Sequence, residues 1–145
     1  MIFRVAQEKD IVSLSELENK VFHSPWTFEQ FKYEVLENQF AKIIVITDND
    51  ALIGYIDYWI IFDQATINKI CICNEFRKQG LGQKLLDLAI EDFKKNECLV
   101  ATLEVRVSNE AAIRLYEKNG FQIVLTKKEY YSDGEDAFYM VKGVS

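Results

Sequence analysis

The segment Arg77-Lys78-Gln79-Gly80-Leu81-Gly82 places two glycines, one residue apart, where an apolar strand-like run gives way to a helical pattern. Glycine lets backbone N–H groups turn toward an anion with no Cβ in the way. A helix N-terminus adds free donors and a favourable dipole, and Arg77 and Lys78 add formal positive charge. The segment reads either as a pyrophosphate cradle or as a plain basic loop at a helix start. Rival nucleotide motifs fit poorly. A dinucleotide fingerprint needs a third glycine where Leu85 stands, and a P-loop needs Gly-Lys-Ser/Thr where Gly82 is followed by Gln83 and Lys84.

A second candidate is Leu103-Glu104-Val105-Arg106-Val107. Strand alternation sends Leu103, Val105 and Val107 to one face and Glu104 and Arg106 to the other. A carboxylate in such a strand is a general base, a solvated residue, or a partner of Arg106. The third candidate lies on the helix that follows, which Ser108 is expected to cap. There Asn109, Ala112, Ile113 and Tyr116 share a face. Tyr116 is either a boundary residue or a proton donor. Cys71 and Cys73 point the same way along a strand and read as small core residues, and with Cys98 and the single His23 they suggest no four-ligand zinc site.

Positioning these residues takes an ordered set of elements. Hydrophobic periodicity predicts strands at 2–6, 42–47, 52–60, 65–73, 99–107, 121–126 and 137–142. Helices are predicted at 10–22, 27–37, from Leu81, and from Ser108 to a stop at Gly120. Thr27 and Gln30 have the spacing of a capping box. The order is β-α-α-β-β-β-α-β-α-β-β, with a right-handed parallel crossover between residues 65 and 107. The expected fold is α/β: one domain over residues 1–145, with a mixed central sheet and helices on both faces.

Net charge is −6 over 145 residues. This disfavours direct nucleic-acid binding and suits either simple solubility or a cationic substrate. No apolar run reaches membrane-spanning length, and three cysteines with no basic leader fit a cytoplasmic protein.

Taken together, these segments resemble the GCN5-related N-acetyltransferase superfamily. Arg77-x-x-Gly80-x-Gly82 is similar to its acetyl-CoA loop. The run from Leu103 through Glu104-Val105-Arg106-Val107-Ser108-Asn109 to Tyr116 and Gly120-Phe121 resembles the RimI branch. So do Pro25-Trp26 and Tyr130-Tyr131-x-Asp133-Gly134-Glu135-Asp136-Ala137. One departure is Asn74-Glu75, where the family often has Asp-Pro.

The resemblance implies acetyl-CoA as acetyl donor, with no metal, and protein N-terminal acetylation, foremost of an N-terminal alanine on a small-subunit ribosomal protein. It places the base on Glu104 and the acid on Tyr116. It implies cofactor contacts at Ile70, Cys71, Ile72, Arg77, Lys78, Gln79, Gly80, Leu81, Gly82 and Asn109. Substrate contacts fall on Trp26, Tyr130 and Tyr131; the sequence leaves the oligomeric state open, with a monomer favoured. The alternatives are acetylation of lysine side chains or small amines, and a non-catalytic acetyl-CoA-binding module.

Overall fold

The structure, a computed structural model, describes residues 1–144. In chain order the strands are β1 (Ile2–Val5), β2 (Ala41–Asp48), β3 (Ala51–Ile61), β4 (Gln64–Ile72), β5 (Val100–Arg106), β6 (Gln122–Lys127) and β7 (Ala137–Gly143). The helices are α1 (Ile11–Val21), α2 (Phe28–Leu36), α3 (Leu81–Lys95) and α4 (Glu110–Lys118). This is the predicted order of elements, with short 3-10 turns added at Glu8–Asp10 and Asn74–Phe76. The seven strands form one open, mostly antiparallel sheet in the order β1-β2-β3-β4-β5-β7-β6. The parallel pair is β4 with β5, in register from Gln64↔Val100 to Ile67↔Leu103, and α3 supplies the crossover.

The chain divides into two compact units, Met1–Trp59 with Lys69–Ala89, and Ile60–Asn68 with the residues from Ile90 onward. In the first unit, α1 buries Ile11, Leu14, Leu17 and, unusually, Glu18. Arg4 of β1 clamps the start of α1 through two bonds to Asp10, of 2.7 and 2.9 Å. These hold the Asp10 carboxyl below its ordinary range, the Arg4 hydrogen bond first among the causes. The predicted capping box opens α2: Gln30 N–H donates to Thr27 Oγ1 at 3.1 Å, and Thr27 N–H to Gln30 Oε1 at 2.8 Å. Asn49 and Asp50, with φ of 50° and 67°, form the tight turn between β2 and β3. β3 is buried at every position from Ile53 to Tyr58, so both faces of this strand are covered. A Cβ on its Gly54 would meet the Cys71 carbonyl oxygen and Ile72 Cδ1 at 2.9 Å each, which is why glycine stands beside β4.

In the second unit, β5 buries Ala101, Leu103 and Val105 on one face and Thr102 on the other. β7 pairs with β5 through Glu104↔Tyr139 and Arg106↔Ala137, and with β6 on its other side. β6 is an edge strand whose Ile123, Val124 and Leu125 are all exposed. The cap of α4 differs from the expectation of Ser108. Asn109 is the N-cap, and its Oδ1 accepts the Ala112 N–H at 3.2 Å. Residues 107 and 108 form a turn before the helix, and Glu135 Oε2 takes the Ser108 N–H there at 3.0 Å.

Candidate active site

The second unit carries five of the sequence-predicted site residues. Glu104 stands on β5, half-buried, on the face opposite Leu103 and Val105, as alternation required. Its Oε1 accepts from Lys127 Nζ at 2.8 Å. Lys127 also lies 4.8 Å from the Tyr139 ring centroid and 5.3 Å from that of Tyr130. A carboxylate and two phenol rings thus surround one primary ammonium. The hydrogen bond to Glu104 is the main cause of the raised Lys127 pKa. Of the partners weighed for Glu104, Arg106 is not the one: Lys127, two strands away in the sheet, takes that place.

Arg106 has a different task. Its Nη1 binds Asp133 Oδ2 at 2.9 Å and Glu135 Oε1 at 2.8 Å, and its guanidinium lies 4.0 Å from the Tyr131 ring centroid. Gly134, at φ 90°, closes a turn in which its N–H donates to the Tyr131 carbonyl at 2.9 Å. The acidic run after the two tyrosines is therefore structural: it fastens the β6–β7 loop to β5 and fixes Tyr131. Tyr130 and Tyr131 meet edge to face at 5.0 Å.

Burial foremost pushes the Tyr131 phenol up to about 12, and the neighbouring Glu104 charge adds to the rise. Tyr131 in turn acts on Tyr116, whose phenol burial raises further still. Tyr116 is 6% exposed on α4, packed edge-on against Phe121 at 5.8 Å. A phenol so placed keeps its proton at neutral pH and is available as an acid. Asn109 uses its Oδ1 to cap α4 and is exposed at the helix start.

The first unit carries the other predicted residues. Arg77, Lys78, Gln79 and Gly80 are all exposed. Lys78 and Gly80 both have positive φ, 65° and 77°. No atom lies within 4 Å of where a Gly80 Cβ would be, so the loop is open above its backbone. Leu81 and Gly82 are already in the first turn of α3, whose early N–H groups lack helical partners. Two cations, an open glycine backbone and a helix start fit a pyrophosphate. Arg77 Nε donates to the Ile72 carbonyl at 3.1 Å, tying the loop to the end of β4. On that strand Ile70 and Ile72 are half-buried, while Cys71 is buried and its thiol is pushed up to about 12, chiefly by burial. Cys73 is also buried, as a core residue.

Trp26 is held from below. Its backbone N–H donates to Glu18 Oε2 at 2.8 Å, and Glu18 also accepts from Tyr55 Oη and Lys69 Nζ. Lys69 Nζ lies 4.5 Å from the Phe22 ring and 4.8 Å from the Trp26 ring. Glu18, Tyr55 and Lys69 were not anticipated as site residues. The signal was a carboxylate inside the apolar stripe of a helix, since a fully buried charge needs partners.

The model of the acetyltransferase (GNAT) family matches residues 11–121. The chain belongs to this family. It is an acyltransferase by that membership, and its GNAT relatives include an Escherichia coli (strain K12) ribosomal protein bS18-alanine N-acetyltransferase. That protein is 31% identical over 94% of this chain and 93% of its own. A Bacillus subtilis (strain 168) relative, provisionally named for the same activity, is 44% identical over 91% of this chain and 88% of its own. The solved E. coli ribosomal-protein-S18-alanine N-acetyltransferase superposes with a TM-score of 0.90, at 28% identity, over 99% of this chain and 94% of that one. Among the described residues no helix is long and apolar enough to cross a membrane.

Proposed function

We propose that this chain moves the acetyl group of acetyl-CoA to the α-amine of a protein, foremost the N-terminal alanine of a small-subunit ribosomal protein in the cytoplasm. One observation carries the reading: Glu104, with Tyr130 and Tyr139 about it, already holds a primary ammonium, that of Lys127. A site that accepts a lysine ammonium has the charge and aromatic walls for a substrate amine. The relatives named for alanine N-acetylation support the choice of acceptor.

Acetyl-CoA supplies the acetyl group as an activated thioester. Arg77, Lys78 and the backbone from Gln79 to Gly82 hold its pyrophosphate, the backbone of Ile70, Cys71 and Ile72 pairs with its amide arm, and Asn109 adds a side-chain contact. Trp26, Tyr130 and Tyr131 flank the acceptor's first residues. An α-ammonium has a pKa of about 7.7–8.0, and a lysine ammonium about 10.4. Deprotonation at neutral pH costs about 1 kcal/mol for the first and over ~4 kcal/mol for the second. Glu104 takes that proton, so an α-amine asks the less of it. The freed amine attacks the thioester carbon and the C–S bond breaks; Tyr116, kept protonated by burial, gives its proton to the departing thiolate and regains one from the second proton the nitrogen sheds as the amide forms.

The test is acetyl transfer to a panel of peptides, some with a free N-terminal alanine and others with a blocked α-amine and a free lysine. The free-alanine peptides are the expected acceptors. Comparable turnover of blocked lysine peptides would move the chain to side-chain acetylation, and no turnover with any amine would leave a binding module.

A further inference from the structure

The first unit contains an open pocket of about 470 Å³, and of its lining the proposed chemistry uses Trp26 alone. Trp26, Glu29, Gln30, Tyr33, Glu34 and Trp59 line it. Four of these come from one face of α2, at the i, i+1, i+4 and i+5 spacing that a helix brings together. Trp59 closes the pocket from the end of β3, and Trp26 from the loop before α2. Both tryptophans of the chain are therefore in its wall.

Glu34 is the informative member. It is only 7% exposed, and its two oxygens accept from Asn38 Nδ2 at 2.7 Å and Trp59 Nε1 at 3.0 Å. Both donors are neutral. A carboxylate removed from water and held by neutral donors alone leaves its charge uncompensated, and a cation beside it is favoured. Glu29, exposed one turn earlier, adds a second negative charge to the same wall. Tyr33, 54% exposed, and the two indoles add flat aromatic surface. Carboxylates and aromatic faces together recognise a basic side chain, and a planar guanidinium fits better than an ammonium.

We propose that this pocket binds a basic side chain of the acceptor polypeptide, downstream of the N-terminus that is acetylated. The source is taken to be the acceptor because Trp26 lines this pocket and also belongs to the loop assigned to the acceptor's first residues. The net charge of −6 favours approach of a basic segment. The assignment to the acceptor rests on the N-terminal acetylation reading.

The experiment uses two peptides that differ in one residue, arginine or its neutral isostere citrulline, several positions from the N-terminus. In N-acetylated form neither can be a substrate, and binding is read from the fluorescence of Trp26 and Trp59. A saturable change with the arginine peptide is expected, at least about fivefold tighter than with the citrulline peptide. Glu29→Gln and Glu34→Gln should narrow that difference. Glu29 is exposed, so its substitution keeps the fold if Glu34→Gln does not. With free N-termini, wild-type kcat/KM should favour the arginine peptide by a similar factor, and Glu29→Gln should reduce the preference. Equal fluorescence titrations for the two peptides would overturn the cation site. Discrimination in fluorescence without discrimination in transfer would overturn its assignment to the acceptor. Fluorescence discrimination with no transfer to any peptide would sink the acetylation reading and leave the cation site supported.

Discussion

Lys127 Nζ lies 2.8 Å from Glu104 Oε1, so the carboxylate assigned as base is occupied by an amine of its own chain. A substrate ammonium must displace Lys127 or share the carboxylate with it. The pairing raises the Lys127 pKa, the Glu104 hydrogen bond being the largest cause. Lys127 should therefore react more slowly with an amine-selective reagent at mildly alkaline pH than the exposed Lys118. Glu104→Gln should remove the protection, as read by mass spectrometry of labelled peptides. Equal labelling of Lys127 and Lys118 in the wild type would contradict the pairing in solution.

Tyr116→Phe deletes one oxygen from a buried ring that packs against Phe121, so thermal stability should barely change. Acetyl transfer should fall by about 10²–10⁴ if the phenol is the acid, with acetyl-CoA affinity kept. Single-turnover kinetics with pre-bound acetyl-CoA separates the two effects. A wild-type rate would remove Tyr116 from the mechanism.

Glu18 is fully buried and joins α1, β3, β4 and the Trp26 loop through Tyr55, Lys69 and the Trp26 N–H. Glu18→Gln leaves the largely buried Lys69 ammonium without its anion, and should destabilise by about 3–5 kcal/mol in urea unfolding. Adding Lys69→Met should recover part of the loss, because the orphaned charge goes with it. If the double variant is as unstable as the single one, the pair is not the unit that matters.

The β6–β7 loop should loosen in acid. Asp133, Glu135 and Asp136 are all held below the ordinary carboxylate range. The leading causes are the Glu135 N–H for Asp133, Ser108 for Glu135 and the Glu129 N–H for Asp136, with Arg106 and Lys128 adding to them. A depressed carboxylate contributes stability that is present above its unfolded pKa, about 4, and is lost as pH falls through the lower folded value. Amide exchange at Ser108, Glu129 and Glu135 should accelerate below roughly pH 4, after correction for intrinsic rates. Arg106→Gln should move the Ser108 and Glu135 onset to higher pH. An onset unchanged in that variant would contradict the Arg106 clamp.

Gly80→Val should weaken acetyl-CoA binding through the backbone. Nothing within 4 Å would meet the new Cβ, but φ is 77°, where an ordinary residue costs about 1–2 kcal/mol. Gly80→Asn, which tolerates that region, should be milder. Calorimetric titration with acetyl-CoA reads both. Wild-type affinity in Gly80→Val would place the pyrophosphate elsewhere.

The fold was legible because its signals are local. The Thr27–Gln30 capping box and the alternation at Leu103-Glu104-Val105 each act within a few residues, and each formed as read. Assigning the α4 cap to Ser108 failed because a side chain far along the chain, that of Glu135, takes the Ser108 N–H. The site was half legible for the same reason. Glu104 could be singled out from its strand, but Lys127 reaches it only through the pairing of β5 with β7 and β7 with β6. Glu18 could be seen as a charge in a stripe, but Tyr55 and Lys69 come to it from strands distant in sequence.

The position of β7 between β5 and β6 sets an order in time. During synthesis β6 is made first, yet its only neighbour in the sheet, β7, comes after it. Until β7 is in place, Ile123 and Leu125 have no strand to pair with. Until then an apolar strand with both edges open is on offer to any other chain nearby. Lys127 and Lys128 at its end are the charges that discourage such encounters, so one lysine guards the nascent strand and later occupies the finished site.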